Sequence, residues 1–279
     1  MIEIKELTKR FGNFTAVDHL DLTINRGEFF GLLGPNGAGK TTTISMLSTV
    51  LLPSEGRILI DGSLLDRRAS KEKRKISVVT QEYSMRQDMT MEEVMEYQGR
   101  LYYLSRAQIR EKTQQLFAFA GLSEFRRRTV RHLSGGMKRK LMICRALMTD
   151  PQILLLDEPT AGMDALARRQ MWDLLRSVND RKMTIILTTH YIEEAQALCD
   201  RVALLNRGRL QKLDTPHNLI CDLGAYAVDE RRQEKTVTRY FRTREEAIAC
   251  LSAIDNTSLR NTTLEDVFVE CAGRNILPG

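Results

Sequence analysis

Three short clusters hold residue types in patterns that can do chemistry. Gly34-Pro35-Asn36-Gly37-Ala38-Gly39-Lys40-Thr41 fits the pattern Gly-x-x-x-x-Gly-Lys-Ser/Thr and is followed by Thr42. Its glycines let backbone N–H groups wrap a phosphate chain without side-chain clash. A helix starting at Lys40 would add a positive dipole end, Lys40 would reach the β/γ-phosphates, and the Thr41 hydroxyl could ligate Mg²⁺. The second cluster, Ile153-Leu154-Leu155-Leu156-Asp157-Glu158, reads as a buried strand ending in two carboxylates. Ligands of parallel sheets sit at strand C-terminal ends, so Asp157 can face a Mg²⁺ shell and Glu158 the position of an attacking water. The third, Thr188-Thr189-His190, closes another apolar run and places His190 where it can sense a terminal phosphate. Nucleotide binding is the expectation these residues set.

Those clusters need elements to carry them. Leu20, Leu22 and Ile24 alternate with polar residues before a turn at Asn25-Arg26-Gly27, and the uninterrupted run Phe29 to Leu33 reads as a strand buried on both faces. Ile44, Leu47 and Leu51 fall at helical spacing before Pro53, which predicts a helix from Lys40 to about that point. From about Met91 to Leu147 the pattern is helical, through Val94, Leu101, Leu104, Ile109, Leu116, Phe117 and Ala120, and Tyr102 and Tyr103 are expected to pack. Beyond Pro151 apolar runs return at Ile153 to Leu156 and Thr184 to Leu187. Met171, Leu174, Leu175 and Val178 form a helical stripe between them, and Ile192, Ala195 and Cys199 another after them. Strand–helix–strand alternation argues for a mostly parallel sheet wrapped by helices, with an all-helical insertion in the middle. After about Pro216 two β-like stretches (Tyr226 to Val228, Val237 to Phe241), a helix from Arg244 to Ile254 and a last helix near Leu264 suggest a small α+β appendage. Thr262 and Glu265 have the spacing of a capping box for that last helix.

Composition narrows the class. The chain has 279 residues, with 42 Lys plus Arg against 36 Asp plus Glu for a net charge of +6, a modest excess that selects no partner by itself. The basic clusters Arg67-Arg68, Lys71 to Lys75 and Arg126 to Arg128 read as solvated faces, and no nucleic acid is expected. The longest stretch without a charge, Thr41 to Ser54, is 14 residues, short of the ~18–20 that a bilayer span needs. The first residues alternate like a strand and lack the apolar core of a signal peptide. The five cysteines have no metal spacing and read as reduced thiols of a cytosolic protein.

Leu133-Ser134-Gly135-Gly136-Met137 discriminates further. Ser-Gly-Gly ahead of a basic amphipathic helix is a second anion-binding helix start in a chain that already has a phosphate loop. Such a spare phosphate reader suits a neighbour's nucleotide. With these motifs in this order, residues 1–215 resemble the ABC-type ATPases. The resemblance puts Phe11 where an aromatic stacks on adenine and makes Gln81 the residue that touches Mg²⁺ and water. It also assigns Ser134, Gly135 and Gly136 to the signature, Asp164 in Ala161-Gly162-Met163-Asp164 to the D-loop, and His190 to the switch histidine. It implies ATP and Mg²⁺ as ligands, with Glu158, His190 and Gln81 catalytic and Thr41, Gln81 and Asp157 at the metal. The fold implied is α/β: a P-loop (RecA-like) parallel sheet core, an N-terminal antiparallel β subdomain, an inserted α-helical subdomain at about 84–150 and a C-terminal accessory α+β region over 216–279.

Met137 (where Gln is commoner), Thr188-Thr189-His190-Tyr191 with Glu193-Glu194-Ala195, and Thr263-Leu264-Glu265-Asp266-Val267-Phe268 most resemble the ATPases of multidrug, antibiotic, nodulation-factor and polysaccharide exporters. The resemblance implies two partners, an integral membrane transporter subunit docking near Tyr83, Met85 and Met89, and a second ATPase subunit (self or paralogue). It places the chain peripherally on the cytoplasmic face of the inner membrane. The alternatives are an importer subunit or a soluble ABC-type ATPase acting on ribosomes or nucleic acid. The latter generally carry two cassettes or a long coiled coil, and this chain has one phosphate loop, one signature and no heptad run.

Overall fold

The uninterrupted apolar runs form the middle of a six-stranded sheet. The computed structural model describes residues 1–232, 235–254 and 256–273. The first third of the chain supplies β1 (Ile2–Phe11), β2 (Phe14–Ile24), β3 (Phe29–Leu33), α1 (Lys40–Leu47), β4 (Glu55–Ile60), β5 (Ser63–Leu64), α2 (Ser70–Lys73) and β6 (Ile76–Val79). Three helices then intervene, α3 (Met91–Leu101), α4 (Arg106–Ala120) and α5 (Gly135–Leu147). Alternation resumes with β7 (Ile153–Asp157), α6 (Ala165–Asn179), β8 (Thr184–Thr189), α7 (Ile192–Leu198), β9 (Arg201–Asn206) and β10 (Arg209–Asp214). The chain continues as α8 (Pro216–Leu223), β11 (Tyr226–Arg232), β12 (Lys235–Phe241), α9 (Arg244–Ala253), β13 (Thr257–Asn261) and α10 (Leu264–Gly273).

The central sheet runs β10-β9-β3-β8-β7-β6, parallel except for the edge strand β10. A second, antiparallel sheet runs β2-β1-β4-β5 and a third β12-β11-β13. Strand periodicity sorts side chains into two cores. Leu154, Leu156, Ile185 and Leu187 join the core shared with α3 to α7, whereas Ile153, Leu155 and Ile186 join the core shared with β1, β2, β4 and α1. Burial on both sides explains why these strands read as unbroken apolar runs. Because both faces are packed, the strands cannot slide, and their C-terminal ends hold fixed positions.

Several expectations change in detail. α1 stops at Leu47, not near Pro53: Thr49 takes φ +60° and the Leu51 N–H turns back to the Ser45 carbonyl at 3.0 Å, so Leu51 packs from outside the helix. α3 ends at Leu101 and the chain turns at Tyr103 with φ +60°. The tyrosines expected to pack are therefore outside: Tyr102 is 45% and Tyr103 93% exposed, and Leu101 is 55% exposed. The strand β13, which reads polar in sequence, completes the third sheet by pairing with β11. In the last helix the cap lies one residue on from the expected pair. Thr263 N–H and Oγ1 donate to Asp266 at 2.8 and 2.9 Å, whereas Thr262 is buried with its hydroxyl unpartnered. The expected region 216–279 ends in residues outside those described.

The same Asp266 receives the Arg260 guanidinium in a fork of two 2.7 Å bonds, and Arg260 also bonds Asp229. This network ties β13, β11 and α10 together. Burial pushes the Asp266 carboxyl up, but the Arg260 and Thr263 donors outweigh it and hold the pKa down at about 2, against an ordinary 3.8. A depressed carboxylate stabilises the fold above its unfolded pKa and loses that contribution as pH falls through its folded value. The difference in thermal midpoint between wild type and Asp266→Asn should therefore be full above about pH 4 and shrink toward about pH 2. A difference that is constant over that range, measured by circular dichroism, would contradict the network.

Candidate active site

The C-terminal ends of β3, β7 and β8 open onto one cleft of about 730 Å³. It is lined by Gly34 through Thr42, by Gln81, Glu158 and His190, and by Phe14, Ala16 and Phe268. Two of the loop glycines are required by space. At Gly34 a Cβ would meet the Leu205 carbonyl at 2.5 Å; at Gly39, with φ +101°, it would meet the Ala16 carbonyl at 2.6 Å. The loop is thus pressed closely against β2 and β9, with no room for a side chain at either position.

Lys40 opens α1 and is buried, its ammonium donating to the Gly34 and Pro35 carbonyls at 2.7 and 3.2 Å. Burial lowers its pKa, while Glu158 and Asp157 pull it back up. A buried cation facing phosphate-binding backbone is a site that an anion completes. The Thr41 hydroxyl donates to Asp157 Oδ1 at 3.3 Å, and Thr188 Oγ1 donates to the same oxygen at 2.5 Å. Hydroxyl, carboxylate and the Gln81 amide are hard oxygen donors of the kind Mg²⁺ takes, so the residues present fit that ion.

Glu158 sits one residue past β7 with φ +47°, its N–H held by the Thr188 carbonyl at 3.0 Å and by Thr188 Oγ1 at 3.2 Å. Left-handed backbone at a non-glycine residue is a local strain that the surrounding bonds must hold. It turns the carboxylate out of the strand direction to lie 3.1 Å from His190 Nδ1. Glu158 is largely buried and His190 half exposed at the cleft mouth.

The segment with Gln81 is held by α5. Arg139 is 2% exposed and donates to the Thr80 and Gln81 carbonyls at 2.7 and 3.0 Å, and Arg145 donates twice to Ser84. The Tyr83 hydroxyl returns the contact to the Gly135 carbonyl at 3.3 Å.

The structure does not bring every expected residue to the cleft. Ser134 caps α5, accepting from Met137 N–H at 3.2 Å, and Asp164 caps α6, accepting from Ala167 N–H at 2.8 Å. Both are exposed, and with Gly135 and Gly136 they line a separate groove of about 350 Å³. Phe11 does not line the cleft either; its hairpin partner Phe14 does. Phe11 is half exposed with the Lys9 ammonium 5.2 Å from its ring centre. Three further residues are at the site or support it without being site residues in the sequence reading: Thr188 and Phe268, which enter there only within longer runs, and Arg139. Thr188 carries a signal there, as a hydroxyl at a strand end beside His190. A buried arginine inside a basic helix carries none, and nothing in the run Thr263 to Phe268 places the Phe268 ring in the cleft.

Gly39→Ala tests the loop. A left-handed backbone alone costs alanine about 1–2 kcal/mol, and the Ala16 carbonyl adds a clash. Calorimetry should show MgATP affinity at least about tenfold weaker, with the circular dichroism unchanged. Unaltered affinity would contradict the placement of the phosphates.

Comparison with known proteins agrees with this geometry. The family model described as ABC transporter matches residues 17–161. The Nod factor export ATP-binding protein I of Cupriavidus metallidurans is 37% identical over 99% of this chain and 98% of its own length. The linearmycin resistance ATP-binding protein of Bacillus subtilis is 35% identical over 80% of this chain and 72% of its own. Among solved structures, a dimeric ATP-binding cassette in a post-hydrolysis state with ADP and Pi superimposes with a TM-score of 0.69. It is 28% identical and covers 77% of this chain and 98% of that one. The chain belongs to the ABC transporter family, as an ATP-binding subunit.

Proposed function

We propose that this chain binds and hydrolyses ATP on the cytoplasmic face of a membrane and drives export through a separate integral membrane subunit. The observation that carries the paired form of this reading is the separation of the two anion-reading helix starts. Lys40 opens α1 inside the cleft, while Ser134 opens α5 on an exposed groove elsewhere. Within one chain the second has no phosphate to serve. Facing a second copy or a paralogue, Ser134, Gly135, Gly136 and Asp164 would cover the partner's cleft and complete it. The solved dimer with ADP and Pi supports this arrangement, and the relatives' names support export.

In the reaction, Lys40 transfers its hydrogen bonds from the loop carbonyls to the β/γ-phosphates, balancing their charge. Thr41, Asp157 and Gln81 would hold Mg²⁺, which would neutralise phosphate charge. Glu158 takes the proton of the attacking water, and His190, beside its carboxylate, orients the pair toward the terminal phosphate. An aromatic face of the β1–β2 hairpin stacks on adenine, and Phe14, in the cleft, is the nearer of the two phenylalanines.

The membrane subunit has an exposed aromatic surface to meet. Tyr83 lies beside Gln81, and Tyr97, Leu101, Tyr102 and Tyr103 stand out at the end of α3. Met85 and Met89 are half-buried and packed on the core. Among the described residues no helix is long and apolar enough to cross a membrane.

Ser134→Arg separates the two halves of the site. Monomer affinity for MgATP should stay within about twofold, because the side chain is outside the cleft, while ATP-dependent dimerisation in analytical ultracentrifugation is lost. Collapse of monomer affinity would place Ser134 in its own chain's pocket and overturn the paired model.

A further inference from the structure

One carboxylate is buried away from solvent a few residues past the candidate histidine. Glu194, in the first turn of α7, is 0% exposed. Its Oε1 accepts from Thr160 Oγ1 at 2.8 Å and from the Trp172 indole N–H at 3.0 Å, while Oε2 has no partner. Burial pushes its pKa up, against the hydrogen bonds that it accepts. Lining a core with leucine would be cheaper than burying an acid, so the bonds themselves require explanation.

The partners lie on elements that also carry candidate site residues. Thr160 follows Glu158 by two residues and belongs to the turn closed by the Ala161 N–H on the Glu158 carbonyl at 3.2 Å. Trp172 lies two turns into α6, the helix that Asp164 caps. Glu194 is four residues past His190. A second contact runs parallel: the Arg168 guanidinium, in the first turn of α6, lies 5.1 Å from the Tyr191 ring, which itself stands 4.1 Å from the His190 ring. α6 is joined to α7 again by Arg176, which donates to the Ala197 carbonyl at 2.9 Å.

We propose that Glu194 is a positioning residue for hydrolysis: its carboxylate fastens the turn after Glu158 and the helix that begins at Asp164 to the helix that follows His190. This rests on the ATPase reading above. Displacement of the exposed Asp164 loop, when a second copy closes on it, is then carried by α6 to the His190 side of the site. The loss of Glu194 unfastens the turn after Glu158 from the helix after His190, leaving the direct Glu158–His190 contact and every phosphate contact in place.

Trp172 is the chain's one tryptophan, so its fluorescence reports the Glu194 bond directly. In the full-length protein, Glu194→Ala should lower kcat for MgATP by at least about tenfold with KM within about twofold, and abolish the wild-type response of Trp172 emission to MgATP. Glu194→Gln keeps an acceptor oxygen and should restore kcat to within about threefold of wild type. If the alanine variant does not fold, Trp172→Phe, which keeps a ring and removes the N–H, should lower kcat at least about threefold at unchanged KM. Wild-type kcat in the alanine or the phenylalanine variant, a glutamine no better than alanine, or a rise in KM matching the loss of rate would overturn the role. A wild-type chain that binds no MgATP would instead refute the ATPase function, and this role with it.

Discussion

A buried cation has to be kept charged at the edge of an apolar sheet. Lys40 achieves this with two loop carbonyls on one side and the field of Asp157 and Glu158 on the other. An ammonium buried without such partners would lose its proton. The arrangement exists only if β3, β7 and β8 end at the same level, and they do because both faces of the sheet are packed and their register is fixed. Thr188 ties the ends together, bonding the Asp157 carboxylate and holding the Glu158 backbone in its left-handed turn. The apolar runs are thus the frame for a small polar assembly built around a buried ammonium.

α5 extends the same logic outward. Its N-terminus presents Ser134 to the exterior, while Arg139 and Arg145 grip the backbone of the Gln81 segment. The exposed N-terminus of α5 and the backbone of Gln81 are thereby tied to one helix. α6 and α7 form a comparable unit around Glu194, joining the exposed Asp164 loop to His190. Two helices that start at the surface thus each reach back to the cleft. This is the connectivity that a site shared between subunits requires.

Much of this was legible in the sequence because the signals are local. Gly34 to Thr41, the apolar run before Asp157-Glu158, and Thr188-Thr189-His190 are contiguous patterns whose chemistry follows from composition and order. The parallel sheet and the helices between β6 and β7 follow from hydrophobic period. What periodicity does not encode is where a helix stops: Thr49 and Tyr103 adopt left-handed turns, so Leu51 falls outside α1 and the tyrosines outside the core. Long-range partnerships are equally silent. Nothing in the basic helix around Arg139 marks that residue for burial, yet it is almost wholly buried against carbonyls 58 and 59 residues away. Nothing in Glu193-Glu194-Ala195 marks which acid is buried, and Phe14 differs from Phe11 only by which side of a hairpin turn it occupies. β13 is too polar to announce a strand, and is held by Arg260 and its two acids rather than by apolar faces.

The most direct test of the account is the oligomeric state of Glu158→Gln with and without MgATP, alongside phosphate release. Glutamine keeps the reach of the side chain and removes the base, which typically costs ~10²–10⁴-fold in rate, while Lys40, Thr41 and Ser134 keep their places. The account predicts a chain that binds ATP, elutes as a dimer only with MgATP, and releases phosphate at least about a hundredfold more slowly than wild type. Hydrolysis at the wild-type rate would remove Glu158 from its role, and an inactive, ATP-bound chain that stays monomeric even beside its membrane subunit would contradict the shared site.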